Sequence, residues 1–131
     1  MRNYKLLLKK YLYITISLVI ILNISLASTA KAYKRISAED LRDYMSISTL
    51  MLVIDVRPPE EFEAKKIPMS INIPIHELSG KLLANNINTS TRIIVYGSNQ
   101  PLSDQAAEIL EDMGYADVYS MGGIDGWNFI S

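Results

Sequence analysis

The sequence predicts an α/β domain with a parallel sheet covered by helices. Two observations carry this. Short apolar runs, Leu50–Ile54 and Ile93–Tyr96, are suited to buried strands and too short for buried helices. Between them lie segments whose apolar residues recur at helical spacing, and such alternation is the pattern of strand–helix–strand units.

The first 32 residues differ in kind from the rest. Arg2, Lys5, Lys9 and Lys10 form a basic leader, and Leu12 to Leu22 is almost wholly apolar. Ala30-Lys31-Ala32 then offers the small residues that a signal peptidase accepts. Residues 1–32 therefore read as a secretory signal peptide cut after Ala32, with a retained N-terminal membrane anchor over Tyr11–Ala30 as the alternative. Residues 33–131 are left as one domain, exported to a periplasmic or extracellular location. The chain contains no cysteine, which excludes a lipoprotein anchor.

Each element of that domain has a local cause. Ser37 and Asp40 have the form of a capping box, and Leu41, Tyr44 and Met45 follow at helical spacing. The run Leu50–Ile54 leads into Asp55-Val56-Arg57-Pro58-Pro59, where the prolines force an extended exit before an acidic turn of helix at Glu60–Ala64. Ile71-Asn72-Ile73-Pro74 alternates like a short strand, and its proline argues for an edge. Glu77–Ala84 carries Leu78, Leu82 and Leu83 on one face, and Asn85-Asn86 ends it. After the strand Ile93–Tyr96, Ser103 is the expected helix cap, with Ala106, Ala107, Leu110 and Met113 inward and Gly114 as the stop. Asp117–Ser120 is a last short strand, and Gly122-Gly123 leads into a turn around Trp127.

All 14 acids lie after Ala32, with only 8 of the 13 bases, so the domain carries a net charge of −6. That charge repels phosphate backbones, and no basic stripe or aromatic-basic run points to nucleic acid. Membrane contact is expected only through the N-terminal segment, if that segment is uncleaved. Glu60, Glu61 and Glu63 lack the partners and spacing of a metal site and read as a solvated helix start. No metal or cofactor is expected.

The order of motifs resembles the rhodanese-like domain. Val53-Ile54-Asp55-Val56-Arg57-Pro58-Pro59-Glu60-Glu61-Phe62 is similar to the family's "IDVR-x-P-x-E-[FY]" segment, and Ile67-Pro68-Met69-Ser70-Ile71-Asn72-Ile73-Pro74 to its "HIPGAINIP". Ile93-Ile94-Val95-Tyr96 matches the strand that enters the active-site loop. Val118 to Trp127 resembles the closing "V-x-x-[LM]-x-GG-x-x-x-W". The resemblance implies a three-layer fold, a five-stranded parallel sheet with helices on both faces, spanning nearly all of residues 33–127.

The departures gather where that family keeps its chemistry. The residue after the strand is the persulfide-carrying cysteine in sulfurtransferases of this kind, and here it is Gly97. The arginine that commonly closes the loop five residues later is replaced by Leu102, and Pro101 removes one backbone donor. Lys65-Lys66 stand in for the glycine-histidine before "IP", and Met69 for the glycine after it. Gly97-Ser98-Asn99-Gln100-Pro101-Leu102 is thus a degenerate active-site loop.

A hydroxyl does not replace the thiolate without a partnered base, and no spacing motif joins Ser98 or Ser103 to the lone His76. Asp55 and Arg57 read as a structural pair holding neighbouring loops, as the resemblance implies, and Trp127 as a core residue. If the loop region binds anything, Asp55, Arg57, Ser98, Asn99 and Ser103 are the candidates. The expected function is that of a catalytically silent module that binds a protein partner or plays a structural role. The alternative is a sulfurtransferase-type activity that borrows a partner's thiol.

Overall fold

The computed structural model describes residues 2–27, 31–47 and 50–129. It divides into two compact units, residues 1–31 and 32–131. The first holds helix α1, Arg2–Ala27. Its stretch Asn3–Asn23 is long and apolar enough to cross a membrane, a property shared by signal sequences and anchors.

The second unit runs β1 (Lys34–Arg35), α2 (Ala38–Ser46), β2 (Leu52–Asp55), α3 (Pro59–Ala64), β3 (Ile71–Asn72), α4 (Leu78–Ala84), β4 (Arg92–Gly97), α5 (Gln100–Asp112) and β5 (Asp117–Gly123). Single 3₁₀ turns precede α4 at Ile75–Glu77 and follow β5 at Ile124–Gly126. The strands form one parallel five-stranded sheet in the order β1-β5-β4-β2-β3. All the strand amino ends therefore lie along one rim, and all the carboxyl ends along the other.

Alternation along the interior strands sends side chains to two cores. Ile54, Ile93, Val95 and Val118 pack with Leu78 and Leu82 of α4 and with Ala106, Ala107 and Leu110 of α5. Val53, Ile94, Tyr96 and Tyr119 pack on the other face with Leu41 of α2, Ile67, Met121, Ile124 and Trp127. Among the described residues every buried hydrophobic side chain lies between Tyr33 and Trp127, so the core of this unit is complete without residues 1–32.

Local signals act largely as expected. Ser37 and Asp40 form the capping box of α2. β3 is an edge strand, flanked by Pro68 and Pro74. Three expectations are corrected. The strand predicted from Leu50 starts at Leu52, leaving Leu50 94% exposed. Leu83, predicted inward, is 69% exposed, because α4 spans only two turns and Leu78 and Leu82 fill its buried face. Ser103 is not the helix cap. Asn99 is, accepting from the Leu102 N–H at 3.0 Å, so α5 begins earlier and takes Ser103 inside.

Candidate functional site: the carboxyl rim of the sheet

The loop between β4 and α5 is very short. β4 runs to Gly97, Ser98 and Asn99 turn the chain, and Gln100 already opens the helix. Gly97 is buried, while Ser98 and Asn99 are exposed.

The space beside Gly97 is filled. A Cβ on residue 97 would lie 2.9 Å from Leu102 Cδ2, 3.0 Å from Cγ and 3.2 Å from Cβ. Real Cβ contacts are essentially never that close at the first distance. A new rotamer moves Cδ2 but not Leu102 Cβ, which would itself have to give way by a few tenths of an ångström. Leu102 is also packed against the α4/α5 core. Where the family resemblance implies an arginine over a sulfur cradle, an apolar side chain occupies the site.

Three backbone donors around the loop are used internally. Pro101 has none. The Leu102 N–H goes to Asn99 Oδ1, the Ser103 N–H to the Asn99 carbonyl at 3.3 Å, and the Gly122 N–H to Ser103 Oγ at 3.1 Å. The helix terminus alone contributes about 0.3–1 kcal/mol to anion binding, up to about 2 in sheltered sites. Millimolar affinity needs about 4 kcal/mol. The helix terminus by itself falls short of that.

Gly122-Gly123 let β5 pass beneath the loop. A register shift in the β4–β5 ladder leaves Met121 as the extra residue, and Gly122 follows at φ +91°. A Cβ there would sit 2.6 Å from Gln100 Oε1, and one on Gly123 would sit 2.9 Å from the Ser98 carbonyl oxygen. The close approach, not catalysis, accounts for both glycines.

Below the loop lies a buried polar network that sequence reasoning missed. Ser103 and Ser120 are fully buried, and their hydroxyls are 2.7 Å apart. The single Ser103 hydroxyl proton has a second acceptor within reach, the Val95 carbonyl at 2.9 Å. Ser120 Oγ donates to Asp104 Oδ1 at 2.7 Å. Gln100 Nε2 donates to the same oxygen at 2.8 Å and to Ser120 Oγ at 2.9 Å. Arg35 Nη2 reaches Asp104 Oδ2 at 2.6 Å. Burial alone would push the Asp104 carboxyl up, but hydrogen bonds from Arg35, Ser120 and Gln100 outweigh it and hold it below its ordinary value. β1, β4, β5 and α5 are thus tied at one point. The only sequence signal was two small hydroxyl residues and a carboxylate at otherwise apolar spacings.

Asp55 and Arg57 form a second internal tie. Both are buried, Asp55 completely. Arg57 Nη2 donates to Asp55 Oδ2 and to the Lys65 carbonyl, each at 2.6 Å, and its Nε lies 3.0 Å from Asp55 Oδ1. Asn72 Nδ2 adds bonds to the carbonyls of Asp55 and Arg57. Tyr96 lies nearby, its hydroxyl accepting from the Ile67 N–H at 3.2 Å and lying 2.9 Å from Ser70 Oγ. Burial pushes this phenol up to about 12, so it stays protonated at neutral pH.

The predicted binding residues are therefore not brought together. Ser98 and Asn99 are at the surface, Asp55 and Arg57 are spent on each other and on loop carbonyls, and Ser103 is sealed under the helix. His76 is exposed and 3.6 Å from Glu77, and among the described residues no hydrogen bond links it to Ser98 or Ser103. No group of three or more metal-ligating side chains occurs among the described residues.

Comparison with known proteins agrees with the geometry of the fold. Residues 37–129 match the family model of the rhodanese-like domain. The chain is 35% identical to the thiosulfate sulfurtransferase PspE of Escherichia coli over 71 residues, covering 54% of this chain and 68% of that protein. It is 29% identical over 96 residues to the thiosulfate sulfurtransferase GlpE of Pseudomonas syringae, covering 72% and 87%. A crystal structure of a rhodanese-like domain protein from Staphylococcus aureus superposes with a TM-score of 0.65 at 26% identity, over 72% of this chain and 91% of that one. With the sheet order, the Asp55–Arg57 segment and the Gly122-Gly123 turn all in place, the chain belongs to the rhodanese-like domain family, as a member that contains no cysteine.

Proposed function

We propose that this protein is an exported, catalytically inactive rhodanese-like domain that acts by binding another protein or by a structural role in the cell envelope. The observation that carries the reading is Leu102, whose side chain fills the volume that a residue-97 side chain needs. Thiosulfate sulfurtransfer by way of an enzyme persulfide requires a thiolate to attack and hold the sulfur, and this chain has none to offer. A borrowed thiol from a partner would have to displace Leu102, and the Leu102 and Gly122 N–H groups are already bonded. The basic leader, apolar helix and Ala30-Lys31-Ala32 support export.

The test is an assay of purified residues 33–131 with thiosulfate and cyanide. No thiocyanate above a buffer blank is expected. Sustained turnover by this chain alone would refute the reading.

A further inference from the structure

The amino rim of the sheet carries a groove of about 790 Å³ that the family's chemistry does not use. That volume is inside the roughly 300–1,000 Å³ range of small-molecule sites. One wall is apolar, made by Leu50, Met51, Leu52 and Ile87. Arg92 and Asp117 stand where β4 and β5 begin.

Arg92 is held in a fixed pose. Its Nε donates to Asp117 Oδ2 at 2.8 Å, and its guanidinium carbon lies 5.7 Å from the Tyr44 ring centre and 5.5 Å from that of Tyr119. Its two Nη nitrogens make no hydrogen bond among the described residues. A guanidinium fixed in this way, with donors left over, suits a carboxylate. The charge balance agrees. Lys34 acts on Asp117 as Arg92 does, so two cations bear on that carboxylate on a domain whose net charge is −6.

At this rim β4 is paired with β2 and β5, while the β2–β3 and β5–β1 pairings begin only at Ile54 and Tyr119. The rim turn is closed on itself, with the Ser90 N–H and hydroxyl both on Asn88 Oδ1 at 2.8 and 2.7 Å. A ligand suited to this lining has an apolar body against the Leu50–Leu52 wall and one anionic end at Arg92.

We infer that this groove binds a free aliphatic monocarboxylate, with its carboxylate on the Arg92 Nη edge and its chain along Leu50, Met51, Leu52 and Ile87. The inference does not depend on the silent loop at the opposite rim.

The test is calorimetric titration of residues 33–131 with hexanoate, octanoate and decanoate, with acetate, octanol and an apolar-ended peptide as controls. Saturable binding is expected for octanoate, tightening along the series by up to about fourfold per methylene. Acetate and octanol should show none. Arg92→Lys should weaken octanoate about tenfold or more, the cost of losing one charge-assisted hydrogen bond. Leu50→Asp alters a residue that is 94% exposed, so it leaves the fold intact, and it should weaken octanoate about as much by placing a charge against the chain. A flat series, equal binding of octanol, or octanoate affinity unchanged in Leu50→Asp would overturn the inference. Tighter binding of the peptide than of decanoate would overturn it as well, by assigning the groove to a protein.

Discussion

The two rims of the sheet differ in how their polar groups are spent. At the carboxyl rim, where open α/β sheets place ligands, Leu102 fills the space beside Gly97, Asp55 is bonded to Arg57, and Ser103, Ser120 and Asp104 are bonded among themselves. At the amino rim, Arg92 keeps two nitrogens without a hydrogen bond among the described residues, beside a groove. The difference teaches that strand topology supplies an address, while the loop residues decide whether it is open. Here the customary address has been converted into core.

The contrast can be broken most severely at Asp55. Asp55→Ala leaves the Arg57 guanidinium buried without its carboxylate, and removal of one partner of a buried pair costs about 3–5 kcal/mol. Urea denaturation of residues 33–131 should register a loss of that size, against a total of about 5–15 kcal/mol for a small domain. A loss under 1 kcal/mol would mean that the carboxyl rim is not held by this tie.

Asp104 sharpens the comparison through pH. Its folded-state pKa is lowered from the ordinary 3.8, so its contribution is present above that value and drains as pH falls through the lower, folded one. The Arg35 arm is mostly solvated and screened, leaving the buried Ser120 and half-buried Gln100 donors to carry most of the effect. Asp104→Asn should cost about 1–3 kcal/mol at neutral pH, and its melting temperature should fall less than that of the parent as pH drops from 5 to about 3. Parallel melting curves would contradict this.

The smallest expected effect is at the open rim. Arg92 and Asp117 are each about a third exposed, and such pairs contribute about 0–1 kcal/mol. Arg92→Gln should therefore leave the urea midpoint almost unchanged. A loss comparable to that of Asp55→Ala would make Arg92 a structural residue.

Much of the fold was legible because its signals are local. The capping box at Ser37, the proline exit after Asp55, and the apolar run Ile93–Tyr96 each act within a few residues. The helix start at Asn99 was misread because Ser103 and Asn99 are both good caps in isolation, and the choice is made by burial of Ser103 against Val95 and Ser120. Met69 was seen only as a replacement for glycine. The turn nonetheless keeps a glycine-like φ of +65°, at a strain of about 1–2 kcal/mol for an L-residue.

At the candidate site, the missing cysteine was plain in the sequence, but the fate of the space it left was not. That Leu102 turns inward toward Gly97 depends on where α5 starts and how it packs, which are tertiary facts. The Arg35–Asp104 tie joins residues 69 apart in the chain, and nothing in spacing could propose it. Nothing local in the sequence marks Arg92, whose surroundings of Tyr44, Tyr119 and Asp117 are brought together only by the fold.

The central claim, that Leu102 occupies the cradle, is tested most directly by the reactivity of a thiol placed there. Gly97→Cys and Gly97→Cys combined with Leu102→Ala are each treated with iodoacetamide and with thiosulfate, and the products are weighed by mass spectrometry. The account predicts that the single variant is destabilised by about 1–3 kcal/mol, alkylates slowly and gains no sulfur. Removal of the leucine should relieve the strain and speed alkylation about tenfold or more, as expected for residues that couple directly. A single Gly97→Cys variant that is as stable as the parent and loads sulfur from thiosulfate would contradict it.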